Sequence, residues 1–243
     1  MTPDVRNLLR HLRVPGLAYR DFGAAAPSSI RRTQQRQGLV TVGLVSLVAG
    51  VGRTALCANL VRAFAQQGTR AGAIDVDPRG TLTAMFGAEG RDPSTCIEHL
   101  ALERDVLLVD TGSPPPTDVL SEADELLVVA RPDAASVAAV AQMEDLLVRT
   151  RMRSWRKPRA RWLINAFDGR RRADREALAA MRRALRPRVL ATVVQEDRAL
   201  RDAFLARRLV HDVAPGSQVV ADLDALAREL HWGRGTQRHA WVD

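Results

Sequence analysis

Cysteine, tyrosine, lysine and long apolar runs are scarce or missing in this chain of 243 residues. The two cysteines, Cys57 and Cys96, are too few for a disulfide framework, which fits a reducing compartment. No apolar run reaches the roughly 18 residues that a membrane-spanning helix needs, and the first residues lack the charged-then-apolar order of a secretory signal. We therefore expect a cytoplasmic protein.

Basic charge is abundant although lysine is nearly absent: Lys157 is the one lysine among 36 basic residues, and the net charge is +8. Arginine dominance is typical of a genome-wide compositional bias, so the net charge alone says little about partners. The charge is uneven, because residues 149–188 carry +12 and residues 37–148 carry −8. The 149–188 region is either an ordinary solvated face or a surface for an acidic partner or an anionic membrane. No aromatic residues are interleaved with these charges in the way that single-strand binders use, which argues against nucleic acid.

Composition divides the chain into four stretches. Residues 1–22 show a short amphipathic helical pattern that ends at Pro15 and Gly16, and 23–37 are predicted to be a linker. Residues 38–232 form the predicted main domain, followed by a polar tail at 233–243.

Within the main domain, apolar stretches typical of buried strands alternate with patterns typical of amphipathic helices. This alternation predicts an α/β fold in which a mostly parallel sheet is covered by helices on both faces. The predicted strands are 39–47, 71–76, 105–110, 125–130, 160–166 and 189–194. The predicted helices are 54–67, 134–150, 172–185, 197–207 and 217–230.

A glycine-rich turn, Val48-Ala49-Gly50-Val51-Gly52-Arg53-Thr54-Ala55, lies between the first predicted strand and the first predicted helix. This setting is typical of a phosphate-binding loop, in which backbone N–H groups and a helix N-terminus hold a polyphosphate. Arg53 stands where such loops usually have lysine, and it keeps the charge in a planar, bulkier group. The predicted nucleotide-binding residues of the turn are Gly50, Val51, Gly52, Arg53, Thr54 and Ala55.

Acidic residues end the second and third predicted strands. Asp75 and Asp77 follow the second strand, and Asp110 ends the third. Because the carboxyl ends of parallel strands meet at one edge of a sheet, we expect these side chains near the glycine-rich turn. Mg²⁺ prefers hard oxygen ligands, so we predict a magnesium site at Thr54, Asp75 and Asp110, with Asp110 bound through water. If the chain hydrolyses nucleotide, Asp77 would orient or deprotonate the attacking water.

Three segments in this order resemble the deviant-Walker ATPases of the MinD/ParA class. Asp75-Val76-Asp77-Pro78 matches that class's Asp-x-Asp-Pro switch, and Asp110-Thr111-Gly112-Ser113-Pro114 is similar to its Asp-Thr-Pro-Pro segment. Trp162-Leu163-Ile164-Asn165 is similar to the strand whose asparagine reads the adenine. The resemblance covers about residues 38–230. It implies a P-loop NTPase fold, ATP and Mg²⁺ as cofactors, an adenine contact at Asn165, and a homodimer.

Within that class the chain resembles the BcsQ family of cellulose-synthase-operon regulators, notably over residues 163–167 and 195–200. The stretch Val14-Pro15-x-Leu17-x-Tyr19-x-Asp21-Phe22 resembles BcsR, the small partner of BcsQ. The resemblance implies a BcsR-like segment at 1–22 fused to a BcsQ-like domain. It also implies cellulose synthase components and other cellulose-operon regulators as partners.

The chain departs from the MinD/ParA pattern at three places. The lysine that reaches the partner subunit's phosphates in that class is Val48 here, which removes a charge-assisted contact worth about 1.5–3 kcal/mol. The loop lysine is Arg53. Only 32 residues separate Asp77 from Asp110, which predicts a missing or reduced outer strand and helix.

These features together predict an ATP-binding, weakly or non-hydrolysing regulatory subunit for bacterial cellulose synthesis and secretion, held at the inner membrane through partners. Two alternatives stay open: an active ParA- or MinD-like partition or positioning ATPase, and a nucleotide-free interaction scaffold. A tyrosine kinase of the exopolysaccharide type shares this loop architecture. It is disfavoured because its usual C-terminal tyrosine cluster is absent and Tyr19 is the only tyrosine.

Overall fold

The computed structural model of the chain describes residues 40–86, 105–153 and 158–230. The predicted segment 1–22, the linker and the tail lie outside the described residues. The described part contains six strands and eight helices. In it, one helix follows each of the first five strands, and three helices follow the sixth.

All six predicted strands and all five predicted helices are present, with ends shifted by at most three residues. The sequence predicts none of the three short helices Thr81–Phe86, Thr117–Glu122 and Val210–Val213, because runs of four to six residues are too short to show a helical period. The strands are β1 Val40–Val45, β2 Ala71–Asp75, β3 Val106–Asp110, β4 Glu125–Ala130, β5 Arg159–Phe167 and β6 Val189–Gln195. The helices are α1 Arg53–Gln66, α2 Thr81–Phe86, α3 Thr117–Glu122, α4 Ala134–Arg153, α5 Arg172–Leu185, α6 Arg198–Leu205, α7 Val210–Val213 and α8 Gln218–Glu229.

The strands form one sheet in the order β2-β3-β1-β4-β5-β6, and every neighbouring pair is parallel. The predicted α/β fold with a parallel sheet is confirmed. Strands β2 and β3 lie on one side of β1, and strands β4 to β6 lie on the other. Ligands of such sheets bind beyond the carboxyl ends of the strands, at the place where the chain switches from one side to the other. Asp75 pairs in register with Asp110, so both lie at that edge.

Each face of the sheet carries its own apolar core, because alternate residues of a strand point to opposite faces. Leu44 of β1 packs in the cluster that contains α1 and α8, and Val45 packs in the cluster that contains α4 and α5. Cys57 of α1 is fully buried in the first of these clusters. Helices therefore pack on both faces of the sheet and hold the strands in place at its carboxyl edge. No described helix is long and apolar enough to cross a bilayer.

Many arginines of the 149–188 region are paired with carboxylates. Arg161 and Glu125 form a pair of nearly buried side chains, and Arg188 lies 2.5 Å from Glu144. Further pairs with exposed arginines include Arg149–Asp145, Arg170–Asp168, Arg171–Glu196 and Arg172–Glu176. The region is thus less available as a positive surface than its net charge indicates, and its acidic or membrane partner stays a prediction.

Candidate functional site

The turn after β1 has the backbone conformation that a phosphate-binding loop needs. Gly50 and Gly52 have positive φ angles of 73° and 94°, which glycine adopts without the steric cost that a Cβ brings. Gly52 is the N-cap of α1, and its carbonyl accepts the Leu56 N–H at 3.0 Å. The helix therefore begins inside the turn, where its first N–H groups are available to an anion.

A cleft of about 720 Å³ opens beside this turn at the carboxyl edge of the sheet. Residues Gly50 to Ala55 and Asn165 all line it, so the structure brings together every residue predicted to bind the nucleotide. Besides Arg53, six further arginines line the cleft: Arg79, Arg131, Arg170, Arg171, Arg198 and Arg201. A cleft with this charge suits a polyphosphate.

Arg53 is turned into the protein and its residue is only 5% exposed. Its Nη1 donates to the Ser46 carbonyl at 3.0 Å and to the Ser113 Oγ at 2.7 Å. The Ser113 hydroxyl donates in turn to the same carbonyl at 3.1 Å. Burial lowers the pKa of Arg53, and the nearby charges of Asp110 and Asp77 oppose that shift. Arg53 thus ties the end of β1 to the turn after β3.

Asn165 lies at the end of β5 and packs on the glycine-rich turn. Its Nδ2 donates to the Val51 carbonyl at 2.7 Å. The next residue, Ala166, has a φ of 55°, and the pairing of β5 with β6 shifts register here, a local irregularity of the kind that clusters at functional sites. Asn165 thus contacts the phosphate loop, and the adenine contact stays a prediction.

Asp110 is fully buried at the end of β3. Neither of its carboxylate oxygens has a hydrogen-bond partner of standard geometry among the described residues. Burial raises the pKa of Asp110 to about 6; the nearby Thr54 hydroxyl opposes the rise and the charge of Asp75 adds to it. A buried carboxylate without a partner is costly, and a divalent cation would remove that cost. Thr54 and Asp110 offer the hard oxygen atoms that Mg²⁺ prefers.

Both carboxylate oxygens of Asp75 are occupied by local hydrogen bonds. Oδ1 accepts the Asp77 N–H at 3.1 Å, and Oδ2 accepts the Thr83 N–H at 2.9 Å and its hydroxyl at 3.2 Å. Asp75 therefore anchors α2 through Oδ2, while Oδ1 accepts one hydrogen bond and keeps a lone pair. In the described ranges, no three His, Cys, Asp or Glu side chains form a metal-binding group. Mg²⁺ bound with a nucleotide needs none, because phosphates and waters complete its shell.

Asp77 is 7% exposed and forms an ion pair with Arg79. The Nε of Arg79 donates to both carboxylate oxygens at 3.2 Å, and its Nη2 donates to Oδ2 at 2.8 Å. These hydrogen bonds lower the pKa of Asp77. Asp77, predicted to act on a water, is thus held by a cation. Arg79 is not among the predicted site residues, although it directly follows Pro78 of the Asp-x-Asp-Pro motif.

The other cleft arginines are also absent from the predicted site. Arg171 lies 2.6 Å from Glu196, and Arg170 lies 2.9 Å from Asp168. Most of these arginines lie within a few residues of the carboxyl end of a strand. The carboxyl ends of parallel strands meet at one edge of the sheet whatever the charge of the residues there. The same rule could therefore have predicted these arginines from the sequence.

The chain matches the family model described as CobQ/CobB/MinD/ParA nucleotide binding domain over residues 43–210. No curated protein matches the chain. Among solved structures, it is similar to the septum site-determining protein MinD of Pyrococcus horikoshii, complexed with Mg-ADP. The TM-score is 0.61 at 16% identity, covering 79% of this chain and 96% of that chain.

Two further solved structures are similar. A single-residue variant of McdA from Cyanothece, in complex with ATP, has a TM-score of 0.65 at 15% identity, covering 82% of this chain and 99% of that chain. Cobyrinic acid a,c-diamide synthase from Mycobacterium smegmatis, with bound ADP and magnesium, has a TM-score of 0.61 at 15% identity, covering 79% and 94%. These likenesses show a shared fold, and the family match runs from β1 to the start of α7. The chain therefore belongs to the CobQ/CobB/MinD/ParA nucleotide-binding domain family.

Proposed function

We propose that this chain binds ATP together with Mg²⁺ in the cleft beside the glycine-rich turn. The observation that carries the proposal is the buried Asp110 carboxylate beside Thr54 at the start of α1, which has no hydrogen-bond partner of standard geometry in the described part of the chain. The backbone N–H groups of Gly50 to Ala55 hold the phosphates, while Thr54 ligates the ion and Asp110 holds it through water. Bound Mg²⁺ neutralises phosphate charge. The relatives solved with Mg-ADP or ATP support this assignment.

Nucleotide binding with little or no hydrolysis fits the side chains around the cleft. Asp77, the residue predicted to act on a water, is paired with Arg79. Asp75 accepts hydrogen bonds from Thr83 and the Asp77 backbone, and its role as a metal ligand stays a prediction. Binding tolerates these features better than catalysis does, because the loop backbone holds phosphate without any side chain.

The chain serves, in this proposal, as a regulatory subunit for bacterial cellulose synthesis and secretion, cytoplasmic and held at the inner membrane through partners. Support comes from the likeness to the BcsQ family and from the BcsR-like segment at 1–22. A homodimer is part of the proposal, but Val48 cannot supply the charge that links subunits in the MinD/ParA class. Val48 instead packs against the apolar cluster around α1, and its N–H donates to the Ser46 hydroxyl at 3.1 Å.

A ParA- or MinD-like positioning ATPase is the second candidate. The family match and the similarity to MinD and McdA favour it. The two candidates differ in turnover. A positioning ATPase predicts hydrolysis that DNA or a membrane surface stimulates, whereas a nucleotide-bound regulator predicts hydrolysis that stays slow with either addition.

Equilibrium binding of labelled ATP, with Mg²⁺ and with EDTA, tests the nucleotide site. We expect the wild-type chain to bind more tightly with Mg²⁺, and Asp110→Ala to lose the gain from Mg²⁺ while it keeps the affinity measured in EDTA. Glu176→Ala, an exposed carboxylate on α5, is the matched control and should behave as wild type. Absence of binding by the wild-type chain at millimolar ATP would contradict the proposal and favour a nucleotide-free scaffold.

Deletion of residues 1–22 tests the regulatory assignment. We expect the full chain to capture components of the cellulose synthase complex, and the deleted chain to lose this capture while it still binds ATP. Equal capture by both chains would contradict the role of the BcsR-like segment.

A further inference from the structure

Arg53, the residue that replaces the loop lysine, is committed to contacts inside the protein. Its Nη1 bonds the Ser46 carbonyl and the Ser113 hydroxyl, and the residue is almost fully buried. A guanidinium held in this way links the end of β1 to the turn after β3. A side-chain cation that adds to the backbone N–H groups in holding a polyphosphate is therefore to be sought among the other cleft arginines.

Arg79 is a cleft arginine whose geometry suits that role. Its side chain is 64% exposed and lines the cleft, whereas the side chain of its partner Asp77 is 4% exposed. The pair is local and well defined, since the Arg79 backbone N–H also donates to Asp77 Oδ1 at 3.0 Å. Arg79 is thus held to the buried Asp77 carboxylate by its backbone N–H and by its guanidinium.

The pairing leaves part of the guanidinium unused. Asp77 takes the Nε and Nη2 of Arg79, and Nη1 has no hydrogen-bond partner among the residues that the structure describes. A guanidinium carries five N–H donors in a planar fork, so one edge can hold a carboxylate while Nη1 meets a second anion. A side chain that is already held loses less conformational freedom when it binds a ligand.

We propose that Arg79 is the side-chain cation that binds the polyphosphate, and that Asp77 is the positioning residue that holds Arg79 toward the cleft. This inference rests on the proposed binding of ATP. It gives Asp77 a role that needs no hydrolysis, because the carboxylate orients an arginine instead of activating a water.

Competition with labelled ATP in EDTA tests the inference, since it reads binding alone. We expect Arg79→Ala to weaken ATP binding at least tenfold and AMP binding less than twofold, because the lost contact is to the terminal phosphates. Arg79→Lys should recover part of the loss. Arg70→Ala is the matched control: Arg70 forms a bidentate pair with Asp105 at the opposite end of β2, and its loss should leave ATP binding unchanged.

Asp77→Asn separates a positioning residue from a free carboxylate facing the phosphates. If Asp77 positions Arg79, Asp77→Asn weakens ATP binding about threefold to tenfold, and the effect disappears in the Arg79→Ala background. Unfolding curves of each variant check that the fold is retained.

Three outcomes would overturn the inference. In the first, Arg79→Ala binds ATP as the wild type does. In the second, Asp77→Asn tightens binding, as removal of a negative charge beside phosphate would do. In the third, Asp77→Asn acts equally with and without Arg79. Failure of the wild-type chain to bind ATP would instead remove the proposed function itself, so the two failures are distinguishable.

Discussion

Gly52 and Asn165 meet in the cleft: a Cβ atom added to Gly52 would overlap the Nδ2 atom of Asn165. That amide cannot move away freely, because it donates to the Val51 carbonyl at 2.7 Å. Glycine is therefore required at this position by its φ of 94° and also by the space that Asn165 occupies.

Gly52→Ala should destabilise the protein by roughly 2–4 kcal/mol, the sum of a left-handed backbone cost and a steric conflict with Asn165. Gly68→Ala is the matched control, because Gly68 has a φ of 75° but open space around its Cβ position. It should cost only about 1–2 kcal/mol. Urea unfolding measures both values, and equal losses would show that Asn165 imposes no steric requirement.

Arg53→Met should lower the free energy of unfolding by about 1–3 kcal/mol even without nucleotide. Methionine is of similar length but cannot donate to the Ser46 carbonyl or the Ser113 hydroxyl, so two hydrogen bonds are lost and only the one from Ser113 to Ser46 stays. Chemical unfolding in EDTA without ATP is the measurement. A variant as stable as the wild type would mean that Arg53 does not stabilise the fold and acts only in binding a ligand.

Asp110→Asn should stabilise the metal-free protein at pH 7 by on the order of 1–3 kcal/mol. The folded pKa of Asp110 is about 6, above the value near 3.9 of an unfolded chain. Between these pH values the folded state keeps a proton that the unfolded state has lost, so stability falls as pH rises. Unfolding in EDTA at several pH values should show this fall in the wild type and a smaller fall in Asp110→Asn. Parallel pH profiles would contradict the prediction.

Asp174→Ala should loosen the turn that carries Arg170 and Arg171 into the cleft. Asp174 is buried in the first turn of α5, and its Oδ2 accepts the Asp168 N–H at 2.8 Å. Loss of this contact should cost about 1–2 kcal/mol. Glu176→Ala, which removes only an exposed pair with Arg172, should cost less than about 0.5 kcal/mol. Equal effects of the two substitutions would contradict the role of Asp174.

Periodicity predicted the fold, and strand-end chemistry predicted that the acidic residues Asp75, Asp77 and Asp110 lie near the glycine-rich turn. Continuous apolar stretches such as β3 and β4 are typical of strands in a buried parallel sheet, so their positions followed from the sequence. The glycine-rich turn and Asn165 come together because parallel strands end at one edge. The family match over residues 43–210 agrees with the predicted class.

The side-chain pairings could not be predicted, because they depend on distances across the sheet. Nothing in the sequence shows that Arg53 turns toward Ser113, sixty residues away, or that Asp75 uses both oxygens on its neighbours. The Asp77–Arg79 pair is local, but a motif comparison directs attention to the matching residues and away from Arg79. Propensity and spacing predict the position of a residue in the fold, whereas packing determines which groups its side chain contacts.

The Ser46 carbonyl joins two segments that lead to opposite faces of the sheet. It accepts hydrogen bonds from Arg53 and from Ser113, and the chain after Ser113 enters α3, which packs on the opposite face of the sheet from α1. Displacement of Arg53 would remove two of the three hydrogen bonds here and leave only the one between Ser113 and Ser46. The contacts of Arg53 therefore bear on the segment that leads into α3, on the face of the sheet opposite α1.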